Sequence, residues 1–270
     1  MKTLLLADGR RLAYREAGSG RPLILLHGWA MSSAVFSEAL PDLAADFRVL
    51  APDLRGHGAS DPGNGYTLED FADDLCQWLA GLGIDGFDLL GWSLGGQVAL
   101  RLAGLLGERV GHLLLVAATP RFVAEEGWTA GLPAVQVKAM ARGLKRRYPE
   151  TLDDFFVRQF STGEISADSL ERIRGFAAPG AGDVLPAAET ALAALETLQT
   201  GDLRRGLAGI RVPTLVVHGE RDEIIPPEAG RYLAAHLPQG RFVCLADTGH
   251  APFLSRPERC IALWREFCRS

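Results

Sequence analysis

Short apolar runs recur along this chain, and they restrict its fold more than any other feature of the sequence. They occupy residues 23–26, 47–51, 87–92, 113–118, 214–218 and 241–245. Runs of this length without a strict alternation are typical of strands covered on both faces of a parallel sheet. Amphipathic segments separate them, and one carries apolar residues at helical spacing: Leu68, Phe71, Leu75, Trp78 and Leu82. The alternation predicts an α/β protein with a mostly parallel sheet flanked by helices.

The strand pattern is interrupted once, in the second half of the chain. Between about residues 121 and 206 only helical patterns occur, as in residues 152–160 and 187–198. A loop of about 80 residues would be exceptional in a compact domain. We therefore predict that residues 121–206 form an inserted helical lid, and that residues 1–120 and 207–270 form one core.

The composition excludes several classes of protein. With 270 residues, 47% of them hydrophobic, and a net charge of −5, the chain is neither disordered nor suited to neutralising nucleic-acid phosphates. Its first apolar run is too short for a signal peptide, and no run approaches the ~18 residues of a membrane span. The four cysteines are widely spaced, as expected for reduced thiols. We expect a cytoplasmic protein that binds neither nucleic acid nor membrane.

One segment, between a predicted strand and a predicted helix, reads Gly91-Trp92-Ser93-Leu94-Gly95-Gly96. In this G-x-S-x-G pattern the serine lies on a sharp, strained turn, and the small flanking residues leave room for the backbone. The N-terminus of the following helix directs partial positive charge toward the serine oxygen. The pattern predicts that Ser93 is a nucleophile; a glycine-rich structural turn is the alternative.

A serine nucleophile needs a base, and His250 has the best position among the six histidines. It follows the last predicted strand, so its loop lies at the carboxyl end of the sheet, where it can reach the serine. His218 ends the preceding strand and is the alternative base, although a local hydrogen-bonding role suits it better.

The third group should orient the imidazole and stabilise its cation. Asp222 lies on the turn after the strand that ends at His218, and Glu220 and Glu223 are neighbours that could replace it. The chain order of serine, aspartate and histidine is the one expected for a hydrolase with a nucleophile elbow.

Acyl transfer also needs hydrogen-bond donors where the carbonyl oxygen gains charge. The backbone amide of Leu94, directly after the nucleophile, can supply one. The Trp29 amide, on the loop that follows the first parallel strand, can supply the second. The polar loop of residues 53–58 has no assigned chemical task, and we interpret it as a scaffold.

These residues resemble those of the α/β-hydrolase superfamily over nearly the whole chain. Within it, the chain resembles the pimeloyl-(acyl-carrier protein) methyl ester esterases of biotin synthesis. The resemblance is carried by residues 26–29, 91–96, 116–120, 195–198, 202–204 and 250–253, together with Phe122 and Trp128. It implies an α/β-hydrolase fold with Ser93 as nucleophile, Asp222 as acid and His250 as base, and an oxyanion hole formed by Trp29 and Leu94.

The resemblance also implies that part of the lid lines the acyl channel. The matching stretch here is Phe156, Val157, Arg158, Gln159 and Phe160. Ordinary packing inside the lid is the alternative for Phe155, Phe156 and Phe160.

The lid has a different charge balance from the rest of the chain. Residues 138–174 contain eight Lys or Arg and six Asp or Glu, a balance of +2 on a chain of −5. The positive residues are Lys138, Arg142, Lys145, Arg146, Arg147, Arg158, Arg172 and Arg174. A basic lid would suit an acidic acyl carrier protein that delivers a tethered acyl chain; a solvated helix face is the alternative.

The function that the resemblance implies is hydrolysis of the methyl ester of a pimeloyl group on its carrier protein, through an acyl-enzyme. The substrate is thus a carrier-bound or small-molecule acyl ester, and no metal or organic cofactor is expected. Three other activities could use the same triad: broad carboxylesterase, enol-lactonase and carbon–carbon bond hydrolase. A non-catalytic binding protein is also known to arise from this fold.

Overall fold

A computed structural model describes residues 1–181 and 185–269 and contains one eight-stranded sheet. Its strands are β1 (Lys2–Leu5), β2 (Arg11–Ala17), β3 (Pro22–Leu26), β4 (Arg48–Pro52), β5 (Phe87–Trp92), β6 (Val110–Val116), β7 (Thr214–Gly219) and β8 (Gly240–Leu245). Their spatial order is β1-β2-β4-β3-β5-β6-β7-β8. In this spatial order, every neighbouring pair from β4 through to β8 is parallel. The β1–β2 and β2–β4 pairs, at one edge of the sheet, are antiparallel. Each predicted apolar run overlaps a strand, so the α/β class is confirmed.

Helices cover the sheet and form the segment between β6 and β7. They are α1 (Ala39–Leu43), α2 (Leu68–Gly81), α3 (Leu94–Leu106), α4 (Ala134–Arg146), α5 (Tyr148–Val157), α6 (Ala167–Ala177), α7 (Ala188–Thr200), α8 (Pro227–His236), α9 (Pro252–Ser255) and α10 (Pro257–Cys268). In the described ranges, none of them combines the length and the apolar character needed to cross a bilayer.

Helix α2 shows how the local sequence sets these elements. The Thr67 side chain accepts a hydrogen bond from the Asp70 amide, and the Asp70 carboxylate accepts one from the Thr67 amide, so two N-terminal donors are satisfied. The predicted apolar face is buried at Leu68, Phe71, Leu75 and Trp78 and half-buried at Leu82. Burial of that face, rather than intrinsic helix propensity, provides most of the helix's stability.

Helices α4 to α7 lie within residues 121–206, the predicted lid. Residues 182–184 of this segment are outside the described residues. The division of the chain into a core and a lid at residues 121 and 206 stays a prediction.

The order of the strands creates a crevice at one edge of the sheet. Strand β3 lies between β4 and β5, so the chain moves to one side of β3 and then crosses to the other. Loops that leave adjacent parallel strands in opposite directions open a crevice at their carboxyl ends. Ser93 directly follows β5, and Trp29 lies on the loop after β3, so this crevice brings the two together.

The loop of residues 53–58, predicted to be a scaffold, holds its neighbours through buried hydrogen bonds. The Leu54 amide donates to His27 Nε2 at 2.9 Å, and His27 lies two residues before Trp29. The Asp53 carboxylate accepts from the Ser33 and Ala59 amides at 2.7 and 3.0 Å. These bonds connect the loops after β3 and β4 beside the crevice.

A buried ion-pair network fastens the same loop to α2. Arg55 donates to Asp74 at 2.7 and 2.6 Å, and its side chain is 7% exposed. Arg10 donates to the same carboxylate at 2.9 and 2.6 Å. Removal of Asp74 would leave the buried Arg55 guanidinium with only the half-buried Asp70 carboxylate, 3.5 Å away, as counter-charge, a defect that is strongly destabilising.

We therefore expect Asp74→Ala to lower the free energy of unfolding by about 3–5 kcal/mol. Urea unfolding monitored by tryptophan fluorescence measures this change. Asp73→Ala is the matched control, because Asp73 is the adjacent residue on α2 and its side chain is exposed. A similar small effect from both substitutions would contradict the prediction.

Candidate active site

The proposed nucleophile occupies a strained turn between β5 and α3. Ser93 has φ +56° and ψ −116°, a left-handed conformation that costs a non-glycine residue about 1–3 kcal/mol. Its amide donates to the Val116 carbonyl at 3.0 Å, which anchors the turn to the adjacent strand β6. This backbone conformation directs the Ser93 side chain away from the sheet and toward the crevice, which is the arrangement that the nucleophile-elbow pattern predicts.

Close backbone contacts explain the glycines of the elbow. A Cβ atom on Gly91 would lie 2.3 Å from the Gly95 carbonyl oxygen, and one on Gly95 would lie 2.3 Å from the Leu26 oxygen. A Cβ on Gly96 would lie 2.6 Å from the Ala118 Cβ. All these distances are below van der Waals contact, so a larger residue would displace either α3 or a strand.

His250 lies in hydrogen-bond contact with the serine. Its Nε2 atom is 2.9 Å from Ser93 Oγ. The Trp92 indole donates to the His250 carbonyl at 2.9 Å, which connects the histidine loop to the end of β5. His250 is fully buried and Ser93 is 4% exposed, so this contact is shielded from solvent.

Asp222 completes the chain of contacts. Its Oδ2 atom is 2.7 Å from His250 Nδ1, and its Oδ1 atom accepts from the Ile224 and Ile225 amides at 2.9 and 2.8 Å. Burial alone would raise the pKa of the Asp222 carboxyl, but the charge of His250 and hydrogen bonds from His218 and His250 hold that pKa well below its ordinary value. Asp222 therefore stays ionised and orients the imidazole.

The sequence left His218 as the alternative base and Glu220 and Glu223 as alternative acids. His218 contacts the same Asp222 oxygen as His250: its Nε2 atom is 2.9 Å from the Ile225 carbonyl and 3.1 Å from Asp222 Oδ2. This local hydrogen bonding is the role the sequence favoured. The exposed Glu220 carboxylate accepts from the Asp247 amide at 3.3 Å, and Asp222 is the acid that contacts His250.

The two residues whose amides are predicted to form an oxyanion hole are Leu94, directly after Ser93, and Trp29, on the loop after β3. Leu94 is the first residue of α3, so its amide is among those without an intrahelical partner. The loop before Trp29 runs directly past the nucleophile, since a Cβ on Gly28 would lie 3.4 Å from Ser93 Cβ. The Trp29 indole donates to the Ala191 carbonyl of α7 at 2.8 Å, which holds this loop against the lid.

The structure separates the five lid residues assigned to the acyl channel. Phe156 is buried and packs under the Arg174 guanidinium, 5.4 Å from its ring centre. Val157 is 41% exposed and Arg158 is exposed. Gln159 is buried, and Phe160 is half-buried with its ring 6.0 Å from that of Phe156.

Phe155, for which the sequence left lid packing as the alternative, contacts the loop that follows β3. Its ring packs edge-on against Trp29 with centroids 4.9 Å apart. It also lines a cleft of about 510 Å³ between α4 and α5, with Met140, Arg158 and Glu223. The helical spacing of Leu152, Phe155, Phe156 and Gln159, all buried, was the signal in the sequence for the inward face.

The pKa of Asp222 makes stability depend on pH. Because the folded-state pKa lies below the unfolded value of about 3.9, the stabilisation is complete above about pH 5 and is lost as the pH falls through and below 4. In this range we expect the free energy of unfolding of the wild-type protein to fall by up to about 1.4 kcal/mol per pH unit more than that of Asp222→Asn. Urea unfolding from pH 3 to 6 measures the difference, and parallel curves for the two proteins would contradict it.

Comparisons with known proteins agree with this architecture. The sequence model of the alpha/beta hydrolase family matches residues 23–263. The pimeloyl-(acyl-carrier protein) methyl ester esterase of Nitrosomonas europaea is 39% identical over 245 residues, which cover 91% of this chain and 94% of that protein. The protein of that name from Nitrosospira multiformis is 34% identical, with 96% and 98% covered.

A solved structure shows the same fold. The esterase from Exiguobacterium antarcticum superposes with a TM-score of 0.90 at 27% identity, over 99% of each chain. The resemblance predicted from the motifs is thereby confirmed, and the chain belongs to the alpha/beta hydrolase family.

Proposed function

We propose that this chain is a serine carboxylesterase that hydrolyses the methyl ester of a pimeloyl group carried on acyl carrier protein. The observation that carries the proposal is the unbroken set of contacts from Ser93 Oγ through the His250 imidazole to the Asp222 carboxylate. The names of the relatives that match over nearly the whole chain support the choice of substrate. A cytoplasmic location belongs to the same proposal and is supported by four free cysteines.

The first half-reaction forms an acyl-enzyme. His250 Nε2 accepts the Ser93 proton while Ser93 Oγ attacks the ester carbonyl carbon. The carbonyl oxygen becomes an oxyanion, and the amides of Trp29 and Leu94 donate hydrogen bonds to it. Ionised Asp222 stabilises the imidazolium. Collapse of the tetrahedral intermediate breaks the bond to the methoxy oxygen, which leaves as methanol with the proton from His250.

The second half-reaction regenerates the serine. His250 takes a proton from a water molecule, which attacks the acyl-enzyme carbonyl through a second tetrahedral intermediate. Ser93 leaves as the hydroxyl after receiving that proton from the imidazolium. The product is the free carboxylic acid of the acyl chain, still attached to its carrier.

The most direct test is the measurement of methanol release from purified pimeloyl-(acyl-carrier protein) methyl ester. Growth of a biotin-requiring strain without its own esterase tests the same function in a cell. Release of the acyl chain from the carrier, with the methyl ester left intact, would contradict the proposed reaction.

We expect Ser93→Ala to lower kcat by about 10⁴–10⁶-fold and His250→Ala to lower it by nearly as much, because the two residues act as a unit. Asp222→Asn should lower kcat by about 10⁴-fold, because it disturbs the tautomer and orientation of the imidazole. Burst kinetics with a p-nitrophenyl ester and labelling by a fluorophosphonate measure these losses.

His236→Ala is the matched control for the histidine, because His236 lies exposed at the end of α8. Full labelling of Ser93→Ala would contradict the nucleophile assignment. Absence of labelling in the wild-type protein would instead favour a non-catalytic binding function.

The carrier part of the proposal rests on the lid charges. Arg172 pairs with Glu38, and Arg174 pairs with Asp153 and Glu171, so these two cations are already neutralised. The ion pairs of the described residues include none with the exposed cations at the junction of α4 and α5, which are Arg142, Lys145, Arg146 and Arg147. These four are the best candidates for attracting an acidic carrier. Exposed Arg158 lies nearby, on the wall of the α4–α5 cleft.

We expect replacement of Arg142, Lys145, Arg146 and Arg147 by alanine to lower kcat/KM on a carrier-bound ester by about tenfold at low salt. The loss should fade as salt rises, because attraction between exposed charges is screened beyond about 8 Å at physiological ionic strength. Steady-state kinetics at two salt concentrations measure it, and kcat should change little.

The control substrate is p-nitrophenyl acetate, which carries no carrier protein. The control variant is Arg211→Ala with Arg241→Ala, which removes positive charge at the amino ends of β7 and β8, opposite the site. Lys145 and Arg146 also lie in the last turn of α4, where cations stabilise a helix end. Equal losses on both substrates would therefore indicate damage to the lid, and no loss on either would contradict carrier attraction.

A further inference from the structure

The loop that carries His250 is held by the lid segment as well as by the core. The amides of His250 and Ala251 both donate to the Gln159 carbonyl, at 2.8 and 3.2 Å. The amide of the preceding residue, Gly249, donates to Glu164 Oε2 at 2.8 Å. Three consecutive amides around the proposed base therefore bind one short turn, residues 159–164, which follows α5.

Glu164 is built into this turn and does not face solvent. It is 7% exposed, and Oε2 also accepts from the Ser161 amide at 2.6 Å, while the Glu164 amide donates to the Ser161 carbonyl at 3.0 Å. A buried carboxylate is costly unless charged hydrogen bonds compensate it. The two amides compensate Oε2, and one of them belongs to the histidine loop, whereas Oε1 is buried without a hydrogen-bond partner among the described residues.

The fit between the two segments is close. A Cβ atom on Gly249 would lie 2.6 Å from the Gln159 carbonyl oxygen, 2.8 Å from the Ser161 amide and 3.0 Å from Glu164 Oε2. Only glycine allows the loop to approach the turn this closely. Without the approach, the amides of residues 249–251 would not reach their acceptors.

We propose that Glu164 is a positioning residue for the base: through turn 159–164 it holds the backbone of residues 249–251, and thereby the orientation of the His250 imidazole. The inference rests on the proposed function, in which His250 is the base. Under this proposal the lid positions the histidine loop in addition to binding substrate. Since the ring must meet Ser93 Oγ and Asp222 Oδ2 together, a small rotation of its backbone would lengthen one contact or the other.

The proposal predicts a loss of chemistry without a loss of binding. We expect Glu164→Ala to lower kcat for p-nitrophenyl acetate and the rate of fluorophosphonate labelling by about 10–100-fold, with KM little changed. Glu164→Gln keeps an acceptor oxygen and should restore most of the rate. Asp168→Ala is the matched control, because Asp168 is an exposed carboxylate on the adjacent helix α6.

A spectroscopic measurement separates positioning from a general loss of stability. The proton between His250 Nδ1 and Asp222 should give a low-field proton resonance, assigned by its loss in Asp222→Ala. We expect it to broaden in Glu164→Ala and to persist in Glu164→Gln and Asp168→Ala. An unchanged resonance and labelling rate in Glu164→Ala, whatever its melting temperature, would overturn the proposal.

Gly249→Ala provides a second test should Glu164→Ala fold poorly. It leaves Glu164 in place but forces the turn away from the loop, so we expect the same slower labelling and broadened resonance. Wild-type behaviour of Gly249→Ala would also overturn the proposal. Ser93→Ala and His250→Ala are measured alongside: full labelling of these two would contradict the proposed function itself, whereas their inactivity beside a normal Glu164→Ala would contradict the positioning role alone.

Discussion

The left-handed turn at Ser93 determines where every other group of the site has to be. A serine at φ +56° is stable here because its amide bonds to β6 and because Gly91 and Gly95 allow α3 to pack directly against the sheet. The turn projects the hydroxyl beyond the carboxyl ends of the strands. Since parallel strands end at one edge, the loops after β3, β7 and β8 can all reach that hydroxyl.

The order of the strands explains how loops from separate parts of the chain place Ser93, His250 and Asp222 in contact with one another. The proposed base comes from the loop after β8 and the proposed acid from the turn after β7, and these two strands are neighbours. The charge of His250 and hydrogen bonds from His218 and His250 keep Asp222 ionised, and the amides of residues 224 and 225 hold its carboxylate in place. The fold thus supplies a polarised histidine before any substrate arrives, and electrostatic preorganisation of this kind is the main source of catalysis in such sites.

The strands, and the three residues whose contacts run from Ser93 to Asp222, could be predicted because their signals are local: an apolar run, a glycine-flanked serine, a histidine after the last strand. The lid could be predicted only as helical. Its five proposed channel residues are contiguous, whereas successive residues at the end of α5 point to different sides, so Val157 is exposed and Phe156 is buried. Glu164 could not be identified because it resembles any loop carboxylate, and its burial depends on contact with a glycine 85 residues away.

The contacts of the predicted lid restrict how an ester can reach the site in the proposed function. Ser93 is 4% exposed, so the substrate has to fit closely between the segments that surround it. Displacement of turn 159–164 would release the amides of residues 249–251 and misalign the base in the step that needs it. In the proposed function the substrate therefore has to approach without displacing this turn. Helix α4 and the body of α5, which line the cleft at Phe155, contribute none of these hydrogen bonds. A carrier attracted to the exposed cations of α4, as proposed, would therefore act on helices that leave the bonds between turn 159–164 and the histidine loop intact.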